Sequence, residues 1–528
     1  MNACCKGHRT SLHVASLSAK PEISRLLLDW GANVNAKANN GWTPLHAVSS
    51  GEYHSKEDGL LVARLLLEYG ANANEKDENN ATPLHLAAYC NNLEIVQLLL
   101  GHSAEAALHE VACVKYKSPE DGVHVAQILL GCGVDVNARR NDHWTPLHVA
   151  SYFGKPGIVR LLLRHGTQVN AKSDGEETPL HVVSRGEHQS NGDGVGVAWL
   201  LLECGGDMNS RRKDKWTPLH VACFYGRAGI ARLLLNRGAT PGAKITTGET
   251  PLHLVSRGEY HFEDGVAVAQ LLLEHDVAVD SQADGHWTPL HLASFHGKPE
   301  IARILLDYGA NPNAKIDTGE TPLHMLSAYK YESEEDVVLF TQLLLECGVD
   351  VNAQRNDHST PLHLASLCGK FDIARLLLDH GANVNVKDDT GQTPIYDASD
   401  CTYKSQEDSA HLTRLLLSHG ADVNARRNDF RTLLHYASFG GNLKAARVLL
   451  DHGAEADAVD DWGKTPLHDV SQGNYDSETA GIDVARLLLE HGADANVRDE
   501  SGRTPLDLAS DATRTELVHF LREYRASE

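Results

Sequence analysis

Thr360-Pro361-Leu362-His363 opens a stretch that runs through Leu376-Leu377-Leu378 and closes on Gly381-Ala382-Asn383-Val384-Asn385. Thr is a good helix N-cap and Pro is favoured at the first helical position, so Thr-Pro starts a helix. The Leu triplet belongs to a second helix, and the Gly behind it fits a left-handed C-cap. Asn, Asp and Gly then supply turn chemistry. The same order recurs along the chain. Leu84, Ala87 and Ala88 mark the apolar face of another first helix, Leu98-Leu99-Leu100 another second helix, and Gly492 another cap. Neither helix is long enough to be stable alone, so stacked neighbours must supply the core.

The anchoring Thr, or its equivalent, falls at 10, 43, 82, 106, 145, 178, 217, 250, 288, 321, 360, 393, 432, 465 and 504, which makes fifteen units. Twelve of the 18 prolines sit directly after it, as helix starters rather than loop breakers. Successive spacings alternate between 33 and 39 residues, so the true period is a pair of units, 72 residues. Long units carry about six extra residues between their helices, as at Gly51–Gly59 and Gly258–Gly265.

Three places depart from the pattern. From Thr82 to Ala106 there are only 24 residues, because Leu98-Leu99-Leu100 runs almost directly into Ala106-Ala107-Leu108-His109. That predicts a missing finger and an irregular stacking step near residues 101–106. The chain also begins almost at a first helix, without a polar capping unit. Val14, Ile23 and Leu27 are therefore expected to be partly exposed, as in a fragment or at an end covered by a second chain. The last unit, Thr513 to Glu528, mixes Arg, Glu and His among its apolar residues and reads as a C-terminal cap.

Thr-Pro-Leu-His, Leu-Leu-Leu and Gly420-Ala421-Asp422-Val423-Asn424-Ala425 resemble the ankyrin repeat in register, over essentially the whole chain. The paired long and short units are similar to the expanded ankyrin families of filamentous fungi. The resemblance implies an all-α ankyrin-repeat solenoid of about fifteen helix-turn-helix units. It also implies outward β-hairpin fingers and a concave face built from fingers and first helices. The array is read as one domain, 1–528. Its units are approximately 8–40, 41–79, 80–103, 104–142, 143–175, 176–214, 215–247, 248–285, 286–318, 319–357, 358–390, 391–429, 430–462, 463–501 and 502–528.

Composition narrows the function. Hydrophobic residues make up 42% with only 6% aromatics, which suits small regular helices. The net charge of −23, from 71 acidic against 48 basic side chains, has the wrong sign for a duplex DNA binder. No secretory h-region follows Met1, and no run approaches the roughly 18 apolar residues of a membrane helix. Ten scattered cysteines without a C-x-x-C pair suit reduced thiols, with lipidation of Cys4–Cys5 as the one modification considered. A cytoplasmic location follows, with a nuclear one also open.

The 31 histidines invite a metal reading, but thirteen close the Thr-Pro-Leu-His motif or its variants, for example His85, His148, His291 and His468. Equivalent residues in stacked units lie about 9–10 Å apart, too far for two ligands of one zinc. The resemblance makes this His a hydrogen-bonding strut. A second set (His165, His380, His419, His452 and His491) precedes the capping Gly, where a cation complements the helix dipole. Cys132, Cys204 and Cys347 share that slot in separate units, too far apart for disulfides. The acidic loops around Glu57-Asp58 and Glu334-Glu335-Asp336 lack calcium-loop spacing and read as solvated connections. Their recurrent Tyr (Tyr53, Tyr116, Tyr260, Tyr331, Tyr403 and Tyr475) reads as a packing anchor, with a partner-binding ridge as the sharper alternative.

The finger residues carry the binding expectation. Trp144, Trp216 and Trp287 directly precede the anchoring Thr, Phe430 lies one position earlier in a later copy, and Trp42 holds the same slot in a long unit. Arg139-Arg140, Arg211-Arg212-Lys213, Arg355 and Arg426-Arg427 stand nearby. The candidate set is Trp42, Trp144, Trp216, Trp287, Phe430, Arg140, Arg212, Arg355 and Arg427. Trp and Arg are enriched in interface hot spots, and in alternate units they would form a stripe spaced about 20 Å apart. Packing of each Trp on its own hairpin is the plainer reading. RNA contact is disfavoured by the charge.

No phosphate loop, nucleophile elbow or metalloprotease motif is present. The expected function is a non-enzymatic protein-binding scaffold with no cofactor, no metal and other proteins as partners. The alternative is a recognition or regulatory part of a larger enzyme or receptor. A monomer is expected, with the N-terminal end as the place where another chain could pack.

Overall fold

The computed structural model describes residues 8–51, 55–103, 107–114, 116, 118–186, 191–258, 262–331, 333–399, 406–475 and 477–527. They form two compact bodies, Met1–Val277 and Ala278–Glu528. Among the described residues, thirty α-helices and one 3-10 helix, Asp284–His286, account for the regular structure, and there is no β-strand.

Each body is a stack of antiparallel helix pairs. A short unit holds a seven-residue first helix and a nine-residue second helix, as in Pro146–Tyr152 and Pro156–Arg164. In a long unit the second helix reaches thirteen residues, as in Pro119–Gly131 and Glu334–Glu346. The extra residues extend that helix and supply its cap. Ser55, Ser118 and Ser333 each accept from the backbone N–H three residues on. The acidic loop residues fall in the first helical turn, where the positive end of the dipole favours carboxylates. Tyr331 Oη lies 2.9 Å from both Met325 O in its own first helix and Ser294 O of the preceding unit, so its one proton is shared between the two carbonyls. Tyr475 donates to Val470 O, whereas Tyr53, Tyr260 and Tyr403 lie outside the described residues, as do Cys4 and Cys5.

The Leu triplets hold the layers together. Leu162, Leu234, Leu377 and Leu449 are fully buried, and each contributes about 1.5–3 kcal/mol by leaving water. Gly381 and Gly492 adopt φ of +85° and +87°. The turn behind the first of these is closed by Ala382 N–H donating to Leu377 O. Asn residues of the turns join successive units, a role beyond simple turn formation. Asn35, Asn170, Asn313, Asn352 and Asn385 each accept, through Oδ1, the backbone N–H of Asn72, Asp207, Asp350, Asn383 and Asp422 respectively.

The fingers differ from the expected strand hairpins. Arg140 N donates to Trp144 O and His143 N donates to Arg140 O, so each finger is a tight turn with a single closing pair. Neighbouring tips are joined by one backbone bond, such as Asp174 N to Asp142 O at 3.2 Å. One bond per finger is too few to make a ladder. Helix Leu93–Ser103 is followed by helix Ala107–Val111, and the three residues between them, where the missing finger was expected, lie outside the described residues.

Candidate functional site

The motif histidines form an internal scaffold beneath the fingers. The backbone N–H of Thr145 donates to Nδ1 of His148 at 3.1 Å, and Nε2 lies 3.0 Å from Glu177 O in the next finger. A backbone N–H can only donate and a carbonyl can only accept. The ring is therefore the neutral tautomer with its proton on Nε2. The same pair of bonds places His181 under Trp216 O, His324 under Ser359 O and His435 under Lys464 O. Burial pushes His148, His181, His220, His324 and His435 down to about 4, against the opposing pull of the carbonyl bonds.

Two substitutions show what the strut does. Tyr396 replaces His, and its hydroxyl reaches Arg431 O, the carbonyl in the equivalent finger position. In the final unit Asp507 replaces His and accepts from Thr504 N at 2.9 Å. At the irregular step His85 Nε2 lies 3.2 Å from Ala107 O, only 22 residues on. Next to it, His109 Nδ1 is buried without a partner, and the sequence places Ala106 in its Thr slot.

On this scaffold the finger aromatics meet the ends of the first helices. In the first body Trp144 lies 5.9 Å from the rings of both His148 and Tyr152, and the Arg185 guanidinium lies 5.9 Å from its face. Arg185 pairs with Glu177, which also holds Arg212 at 3.1 Å. Arg212 lies 5.2 Å over Trp216, Trp216 packs edge-on to Phe224, and Arg257, paired with Glu249, lies over Phe224. Aromatic, guanidinium and carboxylate groups thus alternate from one unit to the next. Trp42 is tied down differently, its Nε1 donating to Asp77 Oδ2 at 3.1 Å.

In the second body Trp287 packs on Phe295, whose ring lies 4.5 Å from that of Tyr329. Arg355 is shared between Glu320 and Asp357. Arg427 lies over Tyr436, and Phe430 stands 52% exposed at a finger tip with φ +59°. Trp144, Trp216 and Trp287 are half-buried on their own units' helices. Arg140 pairs at 3.8 Å with Asp142; the cation over Trp144 comes from Arg185 of the following unit.

Sequence reasoning missed Tyr152, Phe224, Phe295, Arg185, Arg257 and their carboxylates. The signal was available: the seventh residue after the anchoring Thr is aromatic in these short units and Arg in two long ones. A Glu directly before Thr lies eight residues ahead of each such Arg.

One cluster is peculiar to the later units. Arg431 occupies the Trp slot and binds Asp460 at 3.3 Å and Asp469 at 3.0 Å, with Tyr436 and Trp462 against its face. Asp469 stands in a slot that is Val or Leu in nine of the other fourteen units and acidic in two, at Glu110 and Asp397, and is 1% exposed. Burial pushes it up to about 7 despite Arg431. Among the described residues, no group of three or more His, Cys, Asp or Glu is placed to hold a metal ion. Nor is any helix there long and apolar enough to cross a membrane.

Stacked helix pairs with turn-closed fingers define a helical-repeat protein. Family models confirm the kind. Those described as ankyrin repeats (3 copies) match residues 12–110, 108–192, 238–316, 263–340, 325–427, 401–480 and 457–527, and one described as ankyrin repeats (many copies) matches 201–255. The chain belongs to the ankyrin repeat family. Among curated proteins, the Mus musculus ankyrin repeat and SOCS box protein 16 is 37% identical over 167 residues, covering 29% of this chain. The chain spans 36% of that relative's length.

Proposed function

We propose that the chain is a non-enzymatic scaffold that docks other proteins through its fingers and the ends of its first helices. The observation that carries this reading is the repeated contact of Trp144 with Tyr152 and Arg185, and of Trp216 with Phe224 and Arg212. Rigid, half-buried aromatic and guanidinium groups lose little entropy on binding, and they dominate interface energetics. Each guanidinium in this row already faces a carboxylate, which supports a protein partner over a phosphate backbone. Cytoplasmic or nuclear protein complexes are the proposed setting.

Trp144→Ala combined with Trp216→Ala tests the assignment. Partners captured by the native chain should be retained at least about tenfold less well, as expected for hot-spot truncation, with helicity by circular dichroism unchanged. Equal capture by native chain and double variant removes these residues from the interface. The reading as a recognition part of a larger protein is favoured by the relative's printed name, which joins ankyrin repeats to a SOCS box.

A further inference from the structure

The finger at residues 210–216 leaves its outer cations unpaired. In other fingers cations are held inside the molecule: Lys37 by Glu75, Lys76 by Glu110, Lys172 by Glu176 and Arg426 by Glu455. Lys315 and Lys387 reach carbonyls of the next finger. Within residues 210–216 exposure alternates. Arg212, Asp214 and Trp216 are half-buried, with Arg212 bound to Asp214 and lying over Trp216. Arg211, Lys213 and Lys215 are exposed, and among the described residues none of the three makes an ion pair or a side-chain hydrogen bond. Lys213 adds only a weaker pull on Glu176, which Lys172 already binds.

The missing partner can be located. Lys215 sits at the finger tip with φ +65°, where His143, His286 and His358 stand in sister units. Each of those rings reaches an aspartate of the next finger, Asp174, Asp317 and Asp389 respectively. The finger after Lys215 carries Thr246 in that place. Thr246 N still donates to Asp214 O at 3.2 Å, as Asp174 N does to Asp142 O, so the register is kept and only the acid is gone. In a chain with 71 acidic side chains, a neighbouring carboxylate is the default for a surface cation. Three adjacent cations without one stand apart from that composition.

We propose that Arg211, Lys213 and Lys215, with the adjoining Trp216, hold a short carboxylate-rich segment of a partner protein. The assignment rests on protein docking at the fingers and adds the chemistry of the partner. Trp216 Nε1 makes no hydrogen bond among the described residues, so an indole donor borders the cations and suits a partner oxygen. A nucleic acid backbone fits less well. Its charges recur evenly along the strand, and the preceding finger would set Asp174, Glu176 and Glu177 against them. An acidic cluster no longer than one finger avoids those carboxylates.

Anisotropy of two labelled peptides on the full chain tests the assignment: Glu-Glu-Glu-Gly-Leu and its Gln-Gln-Gln counterpart. The native chain should bind the Glu peptide about tenfold or more tightly, and the preference should shrink as salt rises. Arg211→Gln, Lys213→Gln and Lys215→Gln together should abolish the preference with helicity unchanged. Thr246→Asp, which gives Lys215 the partner of the sister fingers, should reduce it several-fold without removing a cation. Lys315→Gln with Lys387→Gln should leave it intact, and an equal loss there would overturn the proposal, since binding would then follow bulk charge. No preference for the Glu peptide, a preference that survives the triple variant, or tighter binding of an oligouridylate of equal charge would overturn it too. If those results come while Trp144→Ala with Trp216→Ala still weakens partner capture, the docking surface stands and only its acidic partner falls.

Discussion

Acidification should unfold this protein through its histidine struts. In the unfolded chain each His takes up a proton near its ordinary value of 6.5. In the folded chain five of them resist until about 4, because the ring is buried and Nδ1 is engaged by a Thr N–H. A depressed folded value means the stability is intact above pH 6.5 and is lost as pH falls toward 4. At pH 5 each strut has lost about 2 kcal/mol, the 1.5-unit gap at roughly 1.4 kcal/mol per unit. His148, His181 and His220 together withdraw about 6 kcal/mol from the first body, and His324 and His435 about 4 kcal/mol from the second. Repeat arrays need not unfold in one step, so the two losses are separate expectations. Urea unfolding by circular dichroism at pH 7.5, 6.5, 5.5 and 5.0 reads the loss, and histidine C2–H exchange by mass spectrometry reads each ring. His220→Gln should flatten the pH slope by about 1.4 kcal/mol per pH unit, while lowering stability at pH 7.5. Midpoints that stay constant from pH 7.5 to 5, or strut rings that titrate near 6.5, would refute the reasoning.

Three further outcomes are expected. Asp469→Val, which restores the residue type of its slot and leaves Arg431 its bond to Asp460, should stabilise the later units by about 1–3 kcal/mol at pH 7.5. Because the folded carboxyl is pushed up to about 7, the gain should shrink as pH falls toward 4; a loss of stability at pH 7.5 counts against it. Gly391→Ala should cost about 1–2 kcal/mol for its left-handed backbone, and more for a Cβ only 2.5 Å from Asn428 Oδ1. Faster exchange confined to the fingers around residues 388–392 and 427–431 is the expected signature, and unaltered exchange speaks against it. Arg185→Ala should raise the exposure of Trp144 and shift its emission to the red, since the guanidinium covers that ring; an unchanged spectrum would mean that the contact does not persist in solution.

Much of the fold was legible because repetition multiplies weak signals. One Thr-Pro-Leu-His is a modest N-cap motif, but ten exact copies, with five variants in the same register, define the helix pair, its cap and its period. The histidine role was legible for the same reason. The finger face was harder to read. Trp144 and Trp216 stand out as rare residues, whereas Arg185 lies 41 positions after Trp144 and meets it only because stacking brings consecutive units together. The Arg431–Asp469 pair was hidden for a similar reason: each residue reads locally as a surface charge, and only the register between adjacent units buries the carboxylate. The fingers were overread as β-hairpins, since turn chemistry was plain but the number of ladder bonds was not.

A hydrogen-exchange footprint of the native chain with a captured partner tests the central claim most directly. The account predicts slowed exchange in the fingers and first helices, at residues 140–152 and 212–224. Slowing confined to the second helices, such as Pro156–Arg164 and Ala228–Asn236, would contradict it.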